Sequence, residues 1–187
     1  MISNALTKIS CCSIWLFFLF STPSAAQFVP ISIEQRIANS TLILEGKVIS
    51  QACYWDEMKT HIYTSNVVEL YKVFKGQSAS NKIEIITIGG VVDDRIERVT
   101  NMLQLTIGDT GIFTAIPNTV NLITPTGLVK YKTYAGIQGF IKYNLSTDGA
   151  SDLFNTYKSL NDLYSKITTQ TKKKATIIRK FQLRTPK

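Results

Sequence analysis

Beyond residue 26 the chain holds one histidine, His61, and one cysteine, Cys53. A thiol nucleophile served by an imidazole base is the chemistry such a pair could perform. The two lie on consecutive strand-like runs, where a hairpin could bring them together, but no third group that would orient the imidazole is visible. A serine triad would need His61 as its base, and no Gly-x-Ser-x-Gly turn is present. A solvent-facing strand histidine is therefore the expected role. One histidine and one cysteine do not make a zinc site of several His or Cys ligands.

Acidic residues pair twice, at Asp56-Glu57 and Asp93-Asp94. Calcium favours oxygen-rich loops, but neither pair has the alternating spacing of a dedicated loop. Solvated turns are the expected reading. Carboxylate-only chemistry through these four residues stays open, with nothing in the sequence to position it. Gly89-Gly90 reads as a turn, and neither a phosphate-binding loop nor a dinucleotide glycine pattern occurs. No catalytic residue, cofactor or metal ligand is assigned, and the chain is not expected to be an enzyme.

The elements that would position these groups are mostly strands. Ser32-Ile33-Glu34-Gln35 has the capping-box form, so a short helix is predicted over Ser32 to Asn39. Thr41 to Cys53 alternates, with Leu42, Leu44, Val48 and Ala52 on one side and Glu45, Lys47 and Gln51 on the other. His61 to Phe74 and Lys82 to Ile88 are two further strands. A polar stretch, Asp93 to Thr100, comes next. Leu103 to Ile107, Thr110 to Ile116, Val120 to Ile123, Leu128 to Tyr134 and Gly136 to Tyr143 complete the strand-like series. Leu42, Leu44, Val48, Ile83, Ile85, Ile112 and Phe113 are the expected core. Short strands at this spacing predict a mainly β fold, a five- to seven-stranded barrel or sandwich. Leu153, Tyr157, Leu160, Tyr164 and Ile167 then recur at helical spacing behind Ser151-Asp152, which predicts a C-terminal amphipathic helix. Tyr63, Tyr71, Phe74, Tyr131, Tyr134 and Tyr143 fall on or beside strands. Small barrels can stack bases on such rings. Few cations interleave with them, so cross-strand packing is expected and nucleic acid is not the expected partner.

The N-terminus bears on compartment. Lys8 precedes an apolar run from Ile9 to Phe20, and Ser21 to Ala26 supplies small residues for a signal peptidase. This has the form of a secretory signal cut after Ala26. The run is short for a membrane span, which needs about 20 apolar residues. No second such run occurs, so the mature chain is expected to be secreted, to the periplasm or the exterior. A lone cysteine there fits a bacterial exported protein better than a disulfide-stapled one. The formal charge of +8 is unevenly placed. Gln27 to Ser165 carries 12 basic and 13 acidic residues, whereas Lys166 to Lys187 carries eight basic residues and none acidic. Lys172, Lys173, Lys174, Arg179 and Lys180 are candidate polyanion-binding residues. The expected role of residues 171–187 is a basic tail or linker.

The order of these segments carries a resemblance. "STLILEGKVIS", "YWDEMKTHIYTSNVVELYKVFKG", "IEIITIGG" and "RIERVTNMLQLTIGDTGIFTA" resemble the N-terminal β-barrel domain of large secreted proteins of the Bacteroidetes type. "YAGIQGFIKY" and the helix from "DLFNTY" to "DLY" resemble the segment C-terminal to that domain in those proteins. More remotely the order is similar to the netrin-like barrel of the tissue inhibitors of metalloproteinases, a five-stranded oligonucleotide-binding (OB) type. The inhibitors act through an N-terminal cysteine, and none lies near Gln27. The resemblance implies an OB-like closed or partly open barrel over residues 27–145, a helix on or after it over 146–170, and a tail. It implies a non-enzymatic binding or accessory module of the bacterial envelope or exterior, standing alone or as the N-terminal part of a larger exported protein, with a protein or an envelope polymer as partner. A protease-inhibitor-like domain, or a polyanion binder using the tail, are the alternatives.

Overall fold

The computed structural model describes residues 28–181. The expected signal sequence and its cleavage site lie outside the described residues, as does the end of the basic tail. No helix among the described residues is long and apolar enough to cross a membrane.

The fold is mainly β. Helix α1 (Ile33–Asn39) opens it, and the predicted capping box is formed: Ser32 Oγ accepts from the Gln35 backbone N–H, and the Gln35 side chain accepts from the Ser32 N–H. Two 14-residue strands come next, β1 (Leu42–Trp55) and β2 (Ile62–Lys75), then β3 (Lys82–Ile88). A small hairpin, β4 (Gly90–Val92) and β5 (Arg95–Glu97), forms its own two-stranded sheet. Strands β6 (Thr110–Pro117), β7 (Lys130–Thr133), β8 (Phe140–Asn144), β9 (Gly149–Ser151) and β10 (Thr156–Tyr157) complete the large sheet before helix α2 (Leu160–Thr171). A final short strand is β11 (Thr176–Ile177).

The large sheet runs β1-β2-β3-β7-β6-β8-β9-β10, and β1 also pairs with β6. Strands β1, β2, β3, β7 and β6 therefore close a ring of five. All its pairings are antiparallel except β3 with β7, where Glu84 sits opposite Lys130. Register slips in β1 at Ile43/Leu44, Glu45/Gly46 and Val48/Ser50 mark irregularities of the kind that bend a strand and raise its twist.

Two apolar clusters result. Leu42, Leu44, Val48, Val68, Leu70, Ile83, Ile85, Phe113 and their neighbours fill the ring. Ile43, Phe74, Ile112 and Ile141 on the opposite face pack under α1 and α2 against Ile33, Ile37, Leu160, Leu163 and Ile167. Alternate residues of β1 thus feed different cores, as a period of two requires. All seven expected core residues are at most 1% exposed.

Several expectations need correction. The alternation of β1 puts Glu45 on the side opposite Leu42 and Leu44, yet it is fully buried, because that face lies under the helices. The C-terminal helix begins at Leu160 behind a Ser159 cap. Leu153 is exposed, and Tyr157 belongs to β10. Residues 103–107 and 120–123 form no strand, although Leu103, Leu105 and Leu122 are buried. Periodicity alone does not separate a packed loop from a strand there. The segment expected to be a solvated tail is docked: Thr176 and Ile177 pair with Val73 and Lys72 of β2, and the Phe181 ring stacks on Tyr71 at 5.2 Å.

Candidate functional site

The groups singled out from sequence gather at one end of the ring, but not as a catalytic set. Cys53 sits in register opposite Thr64, and its Sγ lies 3.4 Å from Thr64 Oγ1. His61 precedes β2, past the turn beyond the Trp55–Ile62 pair, and is not brought to Cys53. Its Nδ1 lies 2.8 Å from Glu97 Oε1 on β5. Glu97 Oε2 accepts the Ile62 N–H at 2.6 Å. That N–H, followed by the His61 contact, holds the Glu97 carboxyl below its ordinary range. A third group for His61 therefore exists. It comes from the polar stretch after Gly90, and only the tertiary fold brings it across. Among the described residues no thiol or hydroxyl is in hydrogen-bond reach of the other ring nitrogen. The geometry is that of a clasp joining the β4–β5 hairpin to β2.

The acidic pairs serve turns. Asp56 accepts from the Thr60 hydroxyl at 2.7 Å, the Thr60 N–H at 2.7 Å and the His61 N–H at 3.3 Å, closing the β1–β2 turn. The Thr60 hydroxyl is the main reason its pKa is lowered, with burial opposing it and the Thr60 and His61 N–H groups adding to the lowering. Glu57 accepts from the Asn121 side chain and so ties this turn to the β6–β7 loop. Asp93, at φ 50°, turns the β4–β5 hairpin with Asp94 beside it. Among the described residues no three His, Cys, Asp or Glu side chains are grouped to hold a metal ion.

These turns enclose space. A cleft of about 310 Å³ runs between the inner ends of β1–β3 and the β4–β5 hairpin. Gln51, Cys53, Thr64, Thr87, Arg98 and Gln104 are among its lining residues. A second, more apolar cleft of about 240 Å³ lies against it, lined by Tyr63, Ile86, Met102, Leu103, Val120 and Lys132 among others. The two share Thr87, Ile88 and Leu103. Gly89 and Gly90 form the hinge between β3 and β4. A Cβ on Gly90 would stand 2.6 Å from Cys53 Sγ and 2.8 Å from Thr64 Oγ1, at φ +149°. Glycine is required for the hairpin to approach β1 and β2 this closely. Around the clefts large apolar side chains reach solvent. Val91 and Ile96, cross-strand partners in the hairpin, are 53% and 64% exposed, and Met102 is exposed beside them.

The neighbouring loop is fixed by a buried acid. Glu84 on β3 is fully buried and accepts from the hydroxyls of Thr124, at 3.0 Å, and Thr126. Lys130 Nζ lies 3.9 Å away. The long β6–β7 loop that borders the apolar cleft is thereby latched to the ring. The candidate polyanion residues lie elsewhere. Lys172, Lys173 and Lys174 come directly after α2, and Arg179 and Lys180 after β11, with Arg179 Nη1 2.8 Å from Glu69.

No protein-family model matches the chain, and no curated protein matches it.

Proposed function

We propose that the chain is an exported, non-enzymatic binding module built on an OB-type barrel, and that its partner is a protein segment held at the paired clefts. The strand order β1-β2-β3-β7-β6, closing back on β1 with a parallel β3–β7 contact, supports the barrel reading. In that fold ligands meet the face of the second and third strands, between the first turn and the loop joining the last two strands. The apolar cleft lies at that place, with Tyr63 of β2, Ile86 of β3, and Asn118 and Val120 of the β6–β7 loop around it.

The observation that carries the reading is the company the clefts keep. An apolar recess adjoins a polar one, and exposed Val91, Ile96 and Met102 stand at the rim. Binding patches combine an apolar anchor site with a few oriented polar groups in this way. A charged polymer would call for a cationic lining. Arg98 and Lys132 are the cations that line the clefts, and Glu97 offsets the first. The titratable groups nearby are already committed to turns and clasps, which supports binding over turnover. Export rests on the N-terminal pattern of charge, apolar run and small residues.

Selection of peptides from a random displayed library on the immobilised chain tests this. Enriched peptides should carry an apolar anchor. They should bind the Val91→Asp, Ile96→Asp variant at least about tenfold more weakly, as loss of one well-buried apolar contact implies. Peptides that bind the variant and the parent equally would move the site elsewhere.

A further inference from the structure

The docked C-terminal strand forms a second surface, independent of the clefts. From Lys172 to Lys180 the chain reads Lys-Lys-Lys-Ala-Thr-Ile-Ile-Arg-Lys, five cations with no acid. This stretch is pinned to the ring. Besides the β11–β2 pairing, the backbone N–H groups of Ile178 and Arg179 donate to the Tyr71 carbonyl at 2.9 and 3.1 Å. Phe181 behind them stacks on Tyr71 and packs against Tyr143. Yet Ile177 and Ile178 are 63% and 38% exposed, and all five cations are exposed. Glu69 pairs with Arg179, and none of the three lysines after α2, nor Lys180, has a carboxylate within salt-bridge distance among the described residues.

Lysines beside an edge strand protect it from pairing with other chains. That accounts for the charges and leaves the isoleucines unexplained, since an edge is better protected by polar side chains. A free polyanion would use the lysines and gain nothing from Ile177 and Ile178. A lipid surface uses both, because apolar side chains enter the headgroup boundary while cations meet anionic headgroups. The adjoining groove continues the mixture, with Lys47, exposed Leu145 and Lys180 among its lining residues.

We propose that the strip from Lys172 to Lys180 docks the protein on anionic lipid bilayers, with Ile177 and Ile178 as the inserting residues. The test uses the chain from Gln27, which contains every element described, and vesicles of phosphatidylcholine with about one-third phosphatidylglycerol. The protein should sediment with these vesicles and not with pure phosphatidylcholine. Changing Lys172, Lys173 and Lys174 to Gln should weaken binding by about 100-fold. Ile177→Ser with Ile178→Ser should weaken it by at least about tenfold while leaving retention on immobilised heparin unchanged. A fluorophore on Ile177→Cys, in a Cys53→Ser background, should shift to the blue on adding the anionic vesicles. Failure to sediment, or no emission shift, would overturn the proposal. Vesicle binding that ignores the isoleucines would also overturn it and leave a simple polyanion site. Peptide binding at the clefts is read separately, so either site can fail alone.

Discussion

Tyr143 donates its hydroxyl proton to Glu45 Oε2 at 3.2 Å, joining β8 to β1 under the helices. Lys72 Nζ meets the same oxygen at 3.0 Å and lies 4.0 Å from the centre of the Tyr164 ring. The Tyr143 and Tyr164 hydroxyls are 3.1 Å apart. A buried carboxylate is tolerable only when paired in this way. Tyr143→Phe should therefore cost about 1–3 kcal/mol in urea unfolding, because Glu45 keeps Lys72 as its one partner. A change below about 0.5 kcal/mol, the range of ordinary surface substitutions, would show the network to be incidental.

The same network sets an alkaline limit. Burial, with the Glu45 charge next, pushes the Tyr143 phenol far above its ordinary range. Burial likewise lifts Tyr157 to about 12, and it lifts Tyr164 in the same direction. A raised folded-state pKa means the native state keeps a proton that the unfolded chain releases. The stability is complete below the unfolded value of about 10 and is lost as pH rises above it. Melting temperature should fall between about pH 10 and 12, with tyrosinate absorbance appearing together with unfolding. Tyrosinate that appears fully before unfolding would contradict this.

Arg36 forms a second buried clasp. It is fully buried, and its Nη2 lies 2.5 Å from Asp152 Oδ2 while Nη1 donates to the Gln138 carbonyl. Burial raises the Asp152 pKa, but the Phe154 N–H and Arg36 outweigh it, and the net shift is downward. A depressed pKa gives stability that is present above the unfolded value of about 3.9 and lost as pH falls through the folded one. Arg36→Ala should cost about 3–5 kcal/mol by leaving the buried Asp152 carboxylate without its counter-ion. Arg36→Ala, Asp152→Ala together should recover part of that loss. No recovery would mean the pair is not coupled.

The C-terminal segment should matter to stability. Phe181 makes two aromatic contacts, with Tyr71 and Tyr143. Phe181→Ala should lower unfolding free energy by about 1–3 kcal/mol at roughly 0.5–1.5 per pair. Removing Lys172 onward should lower it further. A truncated chain as stable as the parent would restore the linker reading.

Much of this fold is legible in the sequence because its signals are local. The Ser32–Gln35 box, the alternation of Leu42 and Leu44, and the run from Lys82 to Ile88 each state their own structure. The features that stay hidden depend on partners remote in sequence. Glu45 reads as a surface residue until α2 covers its face. Glu97 reads as one of several polar loop residues until His61 and Ile62 meet it. The tail reads as linker because its charges dominate its composition, while Phe181 declares itself only against Tyr71. At the site, Gly89-Gly90 is visible as a turn, but the reason for the second glycine is the Cys53 and Thr64 side chains packed against it.

That packing gives a direct check on the cleft. Gly90→Ala should displace the β4–β5 hairpin, because the new methyl would overlap Cys53 Sγ and Thr64 Oγ1. Forced overpacking of this kind costs about 1–3 kcal/mol. Reactivity of Cys53 toward a small thiol reagent should rise as the hairpin lifts. Unchanged stability and reactivity would mean the hairpin does not close over Cys53.

The central claim, that the paired clefts are the binding surface, is tested most directly by photo-crosslinking in cells that produce the protein. A photoreactive residue is placed singly at Ile96 or Met102, and at Leu153 or Phe154 as exposed apolar controls outside the cleft linings. A discrete protein adduct at Ile96 and Met102, absent at Leu153 and Phe154, is the result expected. Adducts at the controls with none at Ile96 or Met102 would contradict the account.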